Sequence, residues 1–156
     1  MSRNSTRIDA APEAVFDVLD DARAYPRWVV GTRRVRGVDA NWPEVGSRFH
    51  HAIGTFVAEL HDSSMVLDRR RPELMELEVR FRPTGVALVR ISVERDGPNS
   101  VVTLEETPRS GPFEWMPRFA TDPALAARNA LSLRRLRREV ERRAAHREHV
   151  SIEGSL

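Results

Sequence analysis

The sequence predicts an α+β fold in which one long helix covers an antiparallel sheet. From residue 33 to residue 107, apolar and polar residues alternate with a period of two, as in strands with one solvated face. The connections between these segments are too short for crossover helices, which favours antiparallel pairing. Residues 122–143 then form the only long amphipathic segment that could cover the apolar face of such a sheet.

The N-terminal thirty residues predict one strand and two short helices. The stretch "RNSTRID", residues 3–9, is typical of a short strand. Pro12 suits the first position of the helix that follows. A backbone N–H at that position has no partner within the helix, so proline, which lacks the N–H, costs no hydrogen bond there. Pro26 limits a second short helix, over residues 22–29, which carries Trp28.

The central region predicts about six strands. The clearest is "ELMELEVRFR", in which apolar residues alternate with glutamate and arginine. The turn signal "DGPN" separates the last two strands. The predicted strands cover residues 33–40, 47–53, 56–67, 73–82, 85–95 and 100–106. Four glutamates stand where the alternation predicts the solvated face, and these are Glu59, Glu76, Glu78 and Glu105.

The final helix follows a loop predicted at residues 108–121. Asp122 is predicted to be its N-cap, with Pro123 at the first helical position. Arg143 and Arg147 fall on its apolar side, which predicts that the helix projects beyond the sheet there. Such a projection would suit a homodimer contact, although no residue pattern decides for one.

One residue interrupts the apolar side of this helix. Leu125, Leu133, Leu136 and Val140 share a face, and Asn129 lies near its middle, with Ser132 at its edge. A buried amide without partners costs about 1–3 kcal/mol. Asn129 therefore either bonds to protein groups or faces a cavity that holds water or a ligand.

Composition excludes several classes of function. There is no cysteine, hence no disulfide, no thiolate nucleophile and no cysteine-ligated metal. All 25 basic residues are arginine, but the net charge of +2 gives little long-range attraction for nucleic acid, and no nucleic-acid partner is predicted. The start of the chain lacks a secretory signal, and no apolar run is long enough for a membrane span, so we expect a cytoplasmic protein without integral membrane association.

Three stretches carry a resemblance to a known family: "IDAAPEAVFDVLDDARAYPRWVVG", "VGSRFHHAIG" and the closing helix rich in arginine and leucine. They resemble the polyketide cyclase/dehydrase-like branch of the START-related, or SRPBCC, superfamily. The resemblance implies a helix-grip fold, in which a curved seven-stranded antiparallel sheet wraps around the C-terminal helix and two short helices close one end of the groove. It places one domain at residues 1–150 and a flexible tail at 151–156.

The resemblance also implies a deep, mostly apolar cavity between sheet and helix that holds a lipid, a polyketide or another small hydrophobic molecule. His50 and His51 are neighbours on a strand, so only one of them can face this cavity. Aromatic residues near the ends of the groove could either gate it or plug it. The predicted ligand-binding residues are Trp28, His51, Phe81, Trp115, Phe119, Leu125, Asn129, Ser132, Leu133 and Leu136.

Three functions remain open from the sequence. The first is a protein that binds a hydrophobic ligand. The second is a cyclase or dehydratase acting in the same cavity, for which His50, His51 and His61 are the first residues to consider. The third is an interaction module whose groove is packed solid. No catalytic motif, metal-ligand spacing or cofactor fingerprint is present, so neither a metal nor a cofactor is predicted.

Overall fold

The computed structural model describes residues 1–54, 58–81, 85–111 and 118–154, of which 118–121 by their backbone only. Within these ranges the chain forms seven strands and three helices, and a 3₁₀ turn at Ala22–Ala24 precedes the second helix. In chain order the elements are β1 (Ser2–Ile8), α1 (Pro12–Leu19), α2 (Tyr25–Trp28), β2 (Thr32–Val38), β3 (Arg48–Gly54), β4 (Glu59–Arg70), β5 (Leu74–Phe81), β6 (Gly85–Asp96), β7 (Asn99–Ser110) and α3 (Arg118–Glu153).

The strands form one antiparallel sheet with the order β1-β7-β6-β5-β4-β3-β2. Strands β2 to β6 each pair with the next strand in the chain, and β1 pairs with β7, so that β1 and β2 form the two edges of the sheet. The two short helices therefore carry the chain from one edge of the sheet to the other. This seven-stranded sheet, with a long C-terminal helix against it, confirms the predicted helix-grip fold.

Three pairs of strands contain register shifts, namely β2–β3, β4–β5 and β6–β7. In the second of these the shift lies between Val66 and Asp68. An extra residue in one strand bends it and increases its local twist. These irregularities allow the sheet to curve around α3.

The hydrophobic core lies between the sheet, α1 and the middle of α3. Its completely buried side chains include Phe16, Met75, Ile91, Leu136 and Val140. Burying a side chain of this size stabilises the fold by about 1.5–3 kcal/mol relative to leaving it in water. The core therefore holds α3 against the sheet along the face that carries its leucines.

Aromatic rings close the end of the groove beside α2. The centroid of the Tyr25 ring lies 4.9 Å from that of Trp28 and 4.7 Å from that of Phe49, and Trp42 stacks edge-on to Phe49 at 5.0 Å. The hydroxyl of Tyr25 donates a hydrogen bond to the carbonyl oxygen of Leu19 at 2.9 Å. This bond satisfies the polar end of a ring that is otherwise buried.

The ends of α3 differ from the prediction. The helix begins at Arg118, so Asp122 is not its N-cap and Pro123 lies inside it. A proline at that position removes only one backbone hydrogen bond, to the carbonyl of residue 119, near the helix start. The predicted loop at 108–121 is also too long, because β7 continues to Ser110. At the other end, the helix includes residues 151–153, the first part of the predicted tail.

Acidic residues at the end of α1 anchor both β4 and the turn that follows it. Asp20 accepts two hydrogen bonds from Arg69, at 2.8 and 2.7 Å, and one from Arg71 at 2.6 Å. Arg71 also donates to Asp17 at 2.8 Å. Charge-assisted bonds of this kind fix the orientation of α1 on the sheet.

At Arg143 and Arg147, where α3 is predicted to project beyond the sheet, both side chains pair with acidic residues of α1 and of the turn after it. Arg143 donates to Asp21 and Arg147 donates to Asp17, at 2.8 and 2.5 Å. Arg143 is half-buried, whereas Arg147 is exposed. Both pair within the chain.

Candidate functional site

A cavity of about 620 Å³ lies between the sheet and the first half of α3. The rest of its wall consists of Tyr25 and Trp28 of α2, residues 29–32, which follow it, and side chains of β3 to β7. The side chains from the sheet are mainly apolar, and they include Ile53, Leu77, Val79, Val89, Ile91 and Leu104. The groove is thus not packed solid in the described part of the chain.

The structure brings six of the ten predicted site residues to this cavity: Trp28, His51, Phe81, Leu125, Asn129 and Ser132. Leu133 and Leu136 lie instead in the hydrophobic core, about one turn further along α3, where they are buried. Trp115 lies outside the described residues. Phe119 belongs to α3, but its side chain is outside the description.

Asn129 is 2% exposed and has protein partners on both ends of its amide. Its Nδ2 donates to Oε2 of Glu106 at 3.0 Å and to the hydroxyl of Ser2 at 3.5 Å. Its Oδ1 accepts from Nη2 of Arg128 at 3.1 Å. Asn129 therefore lines the cavity and is also held by protein groups, so both explanations of its position on the apolar face apply.

Glu106 is the functional candidate that the sequence interpretation missed. It lies on β7 and is 4% exposed, and it pairs with Arg128 as well as with Asn129. We call these three residues the Glu106 cluster. The alternation along β7 does contain the signal, because Val102 and Leu104 share the inward face with Glu106.

Ser132 is also partnered. Its hydroxyl accepts a hydrogen bond from the backbone N–H of Val30 at 3.0 Å. Both residues line the cavity. The bond connects the segment after α2 to the middle of α3, so it positions two sides of the cavity wall relative to one another.

His51 lies on β3, next to the edge of the sheet that is opposite the Glu106 cluster. Its Nε2 is 3.0 Å from the hydroxyl of Ser64, which also lines the cavity. Burial lowers the pKa of His51 to about 4, although the negative charge of Asp62 acts in the other direction and raises it. The imidazole is therefore neutral at physiological pH. Its Nδ1 and the Nε1 of Trp28 are buried and have no hydrogen-bond partner in the described structure.

The other histidines of the strands do not reach the cavity. His50 is exposed, as expected for the residue next to an inward His51. His61 is exposed as well, with Nε2 at 3.0 Å from Oε1 of Glu59. In the described ranges, no group of three or more histidine, aspartate or glutamate side chains converges on a point that could hold a metal ion.

The four glutamates predicted on the solvated face do not line the cavity. Each is half-buried beneath an arginine rather than fully exposed. The partners are Arg34 for Glu59, Arg90 for Glu76, Arg80 for Glu78 and Arg3 for Glu105. Two carboxylates line the cavity among the described residues, those of Glu106 and Asp122. Asp122 is partly exposed and pairs with the N-terminal amine of Met1 at 3.1 Å, so Glu106 is the buried one.

The buried titratable side chains of the cavity belong to two separate sites. The Glu106 cluster belongs to β7 and α3, whereas His51 and Ser64 belong to β3 and β4. Strands β6 and β5 lie between β7 and β4, so Glu106 and Ser64 are about 14 Å apart along the sheet at roughly 4.8 Å per strand, and His51 is one strand further. An elongated ligand could contact both sites.

Solved structures share this fold at low sequence identity. A protein from Chromobacterium violaceum is 17% identical and superposes with a TM-score of 0.68, over 89% of this chain and 96% of that one. A START superfamily protein from Mycobacterium smegmatis is 13% identical, with a TM-score of 0.64 over 92% of this chain and 96% of that one. The di-domain ARO/CYC StfQ from the steffimycin biosynthetic pathway is 13% identical, with a TM-score of 0.65, and 92% of this chain matches 51% of it.

A comparison with curated proteins found no match. No helix among the described residues has the length and apolar character needed to cross a membrane. A family model described as polyketide cyclase / dehydrase and lipid transport matches residues 2–141, which is nearly the whole chain. With the seven-stranded sheet, the long C-terminal helix and the cavity between them, this match shows that the chain belongs to the polyketide cyclase / dehydrase and lipid transport family.

Proposed function

We propose that the protein binds one small, largely apolar molecule, such as a lipid or a polyketide-like compound, in the cavity between the sheet and α3. The observation that carries this proposal is the cavity itself, with its volume of about 620 Å³ and its mainly apolar wall. Ligand pockets typically have volumes of about 300–1,000 Å³ and combine such walls with a few polar groups. Burial of apolar ligand surface would provide the affinity, at about 25 cal/mol per Å² before the costs of association.

A cavity-filling substitution tests this proposal. Val89 on β6 lines the cavity, and the next residue, Arg90, is exposed on the other face of the same strand. We expect the unsubstituted protein to bind the apolar fluorophore N-phenyl-1-naphthylamine saturably, with one molecule per chain. Val89→Trp should weaken this binding roughly tenfold or more, because the indole would occupy the space of the ligand. Arg90→Trp should leave it unchanged.

The absence of saturable binding, or equal binding by both variants, would overturn the proposal. Where the proposal holds, native mass spectrometry of gently purified protein identifies the natural ligand class. A bound mass that is lost on denaturation gives the chemical class of the molecule that occupies the cavity.

A cyclase or dehydratase activity is the second candidate, because titratable side chains do lie on the cavity wall. Glu106 and His51 are both buried there. A shaped cavity can promote cyclisation by folding a reactive chain, with one group assisting a proton transfer. However, the low pKa of His51, about 4, makes it a weak base, and Glu106 is already paired with Arg128. These two observations favour the binding protein over the enzyme.

The activity is tested with a synthetic poly-β-ketone thioester as the substrate. Enzymatic catalysis would give cyclised product faster than the uncatalysed reaction, as measured by liquid chromatography with mass spectrometry. Glu106→Gln or His51→Gln would abolish this acceleration, whereas His50→Gln, at the neighbouring exposed position, would not. Product formation at the uncatalysed rate would exclude the activity for this class of substrate.

A further inference from the structure

The Glu106 cluster has one free acceptor. Both hydrogen bonds of the Glu106 carboxylate, from Asn129 and from Arg128, go to Oε2. Oε1 has no partner among the described residues. Among the described residues, the completely buried side-chain polar atoms without a partner are Trp28 Nε1 and His51 Nδ1. Oε1 of Glu106 is not one of them, so it is not completely buried. Oε1 therefore has access to open space, and the space that Glu106 lines is the cavity.

The same cluster has one free donor. Arg128 uses Nε and Nη2 in its hydrogen bonds to Asn129 and Glu106. Its Nη1 donates to no described residue. Arg128 lines the cavity, and its side chain is 32% exposed. Because the ion pair joins the two side chains, the free donor and the free acceptor stand next to each other.

The charge of the cluster restricts the ligand. The carboxylate of Glu106 and the guanidinium of Arg128 cancel, and Asn129 is neutral. An anionic or cationic ligand would gain no net attraction here, while its charge would lose hydration in an apolar cavity. A neutral group that both donates and accepts would satisfy Oε1 and Nη1 together.

We infer that the ligand is a neutral, largely apolar molecule with a hydroxyl group, an alcohol or a phenol, which donates to Oε1 of Glu106 and accepts from Nη1 of Arg128. This inference rests on the proposed function and specifies its ligand class. Asn129 acts as a positioning residue, because its amide holds both charged side chains by hydrogen bonds.

Three probes with the same ring system test the inference: naphthalene, 2-naphthol and 2-naphthoate, each in competition with N-phenyl-1-naphthylamine at pH 7. We expect 2-naphthol to bind roughly tenfold more tightly than naphthalene, since hydrogen bonds to charged groups have about that effect. We expect 2-naphthoate to bind more weakly than 2-naphthol, because the cluster has no net charge to attract it.

Glu106→Gln gives a second and directional test. It removes the negative charge and leaves the positive charge of Arg128 uncompensated. The order of the affinities should therefore invert, with 2-naphthoate binding more tightly than 2-naphthol. Glu105→Gln is the matched control. It makes the same change at the adjacent position, which does not line the cavity, and should preserve the original order.

The outcomes separate this inference from the proposed function. If the protein binds neither the fluorophore nor any of the three probes, the proposed function fails. If naphthalene and 2-naphthol compete equally well in the unsubstituted protein, the cavity binds apolar molecules but does not recognise a hydroxyl, and the inference is overturned. That comparison needs no variant, so it holds even if Glu106→Gln does not fold.

Discussion

The backbone N–H of Val30 donates a hydrogen bond to the hydroxyl of Ser132 at 3.0 Å, across 102 residues of sequence. The donor follows α2 and the acceptor lies near the middle of α3, and both line the cavity. Val30 is half-buried, so its N–H has limited access to water. This bond connects the segment after α2 to α3 at one corner of the cavity, beside the apolar packing of Trp28 and Val29 in the core.

Ser132→Ala should destabilise the protein by about 1 kcal/mol, because it leaves the N–H of Val30 without an acceptor. Urea unfolding monitored by circular dichroism measures the change. Ser132→Thr is the control, since it keeps the hydroxyl and the cavity beside it has room for a methyl group. Equal stability of the alanine variant and the unsubstituted protein would mean that the bond contributes nothing.

Asp20→Asn should destabilise the protein by about 2 kcal/mol, because three charge-assisted hydrogen bonds from Arg69 and Arg71 converge on this carboxylate. The matched control is Asp68→Asn. Asp68 pairs with Arg70 at 3.3 Å, and both side chains are largely exposed. Exposed pairs contribute about 0–1 kcal/mol, so this variant should change the unfolding midpoint little. Similar losses in the two variants would contradict the anchoring role of Asp20.

Glu139→Gln should remove a stabilisation that depends on pH. Burial raises the pKa of Glu139, but hydrogen bonds from Arg142, Arg143 and Arg27 outweigh this and lower the pKa to about 2. The folded state therefore favours the ionised carboxylate. Its contribution is present above the ordinary pKa of 4.5 and is lost as the pH falls from there towards 2.

The free energy of unfolding, measured in urea from pH 7 down to pH 2, checks this prediction. The difference between the unsubstituted protein and Glu139→Gln should be largest near pH 7 and should shrink below pH 4.5. Glu148→Gln is the control, because Glu148 is exposed on the same helix. A difference that stays constant with pH would show that the charge of Glu139 has no role in stability.

His51 should stay neutral until the pH is well below its usual range. Burial lowers its pKa from the ordinary 6.5 to about 4. The unfolded state then binds a proton more readily than the folded state between these values, so His51 costs stability as the pH falls from 6.5 towards 4. His51→Gln should reduce this loss, and His50→Gln, at the exposed neighbouring position, is the control.

Nuclear magnetic resonance of the imidazole ring measures the pKa of His51 directly. A titration midpoint near 4 agrees with a sealed, neutral ring. A midpoint near the ordinary value would mean that water reaches the ring. The effect of His51→Gln on the free energy of unfolding would then no longer depend on pH between 4 and 6.5.

The sequence predicted the elements of the fold well because their periodicity is local. Alternation along β5 and the apolar face of α3 each follow from residues within one segment. The start of α3 was predicted wrongly for the same reason. Asp122 and Pro123 form a typical local start signal, but the helix extends past them to Arg118. A local signal marks where a helix can begin and does not prevent an earlier start.

The site was predicted in part. Asn129 was identified because an amide on an apolar face is visible within one helix. Its partner Glu106 lies 23 residues away on β7. That pairing depends on how α3 lies across the sheet, which no local pattern gives. Alternation along β7 places Glu106 on the inward face. Single polar residues often interrupt such a pattern, so an inward carboxylate whose partner is unknown does not indicate a site.

Different stretches of α3 line the cavity and pack in the core, and this division affects which substitutions the helix can tolerate. Its beginning lines the cavity, through residues such as Leu125 and Asn129, whereas Leu133, Leu136 and Val140, further along, belong to the packed core. We expect backbone amides of the stretch in the core to exchange hydrogen slowly, and those of the stretch at the cavity to exchange faster until a ligand fills the cavity. Under the proposed function, the stretch of α3 that contacts the ligand is separate from the stretch that stabilises the core, so substitutions that change ligand preference need not destabilise the fold.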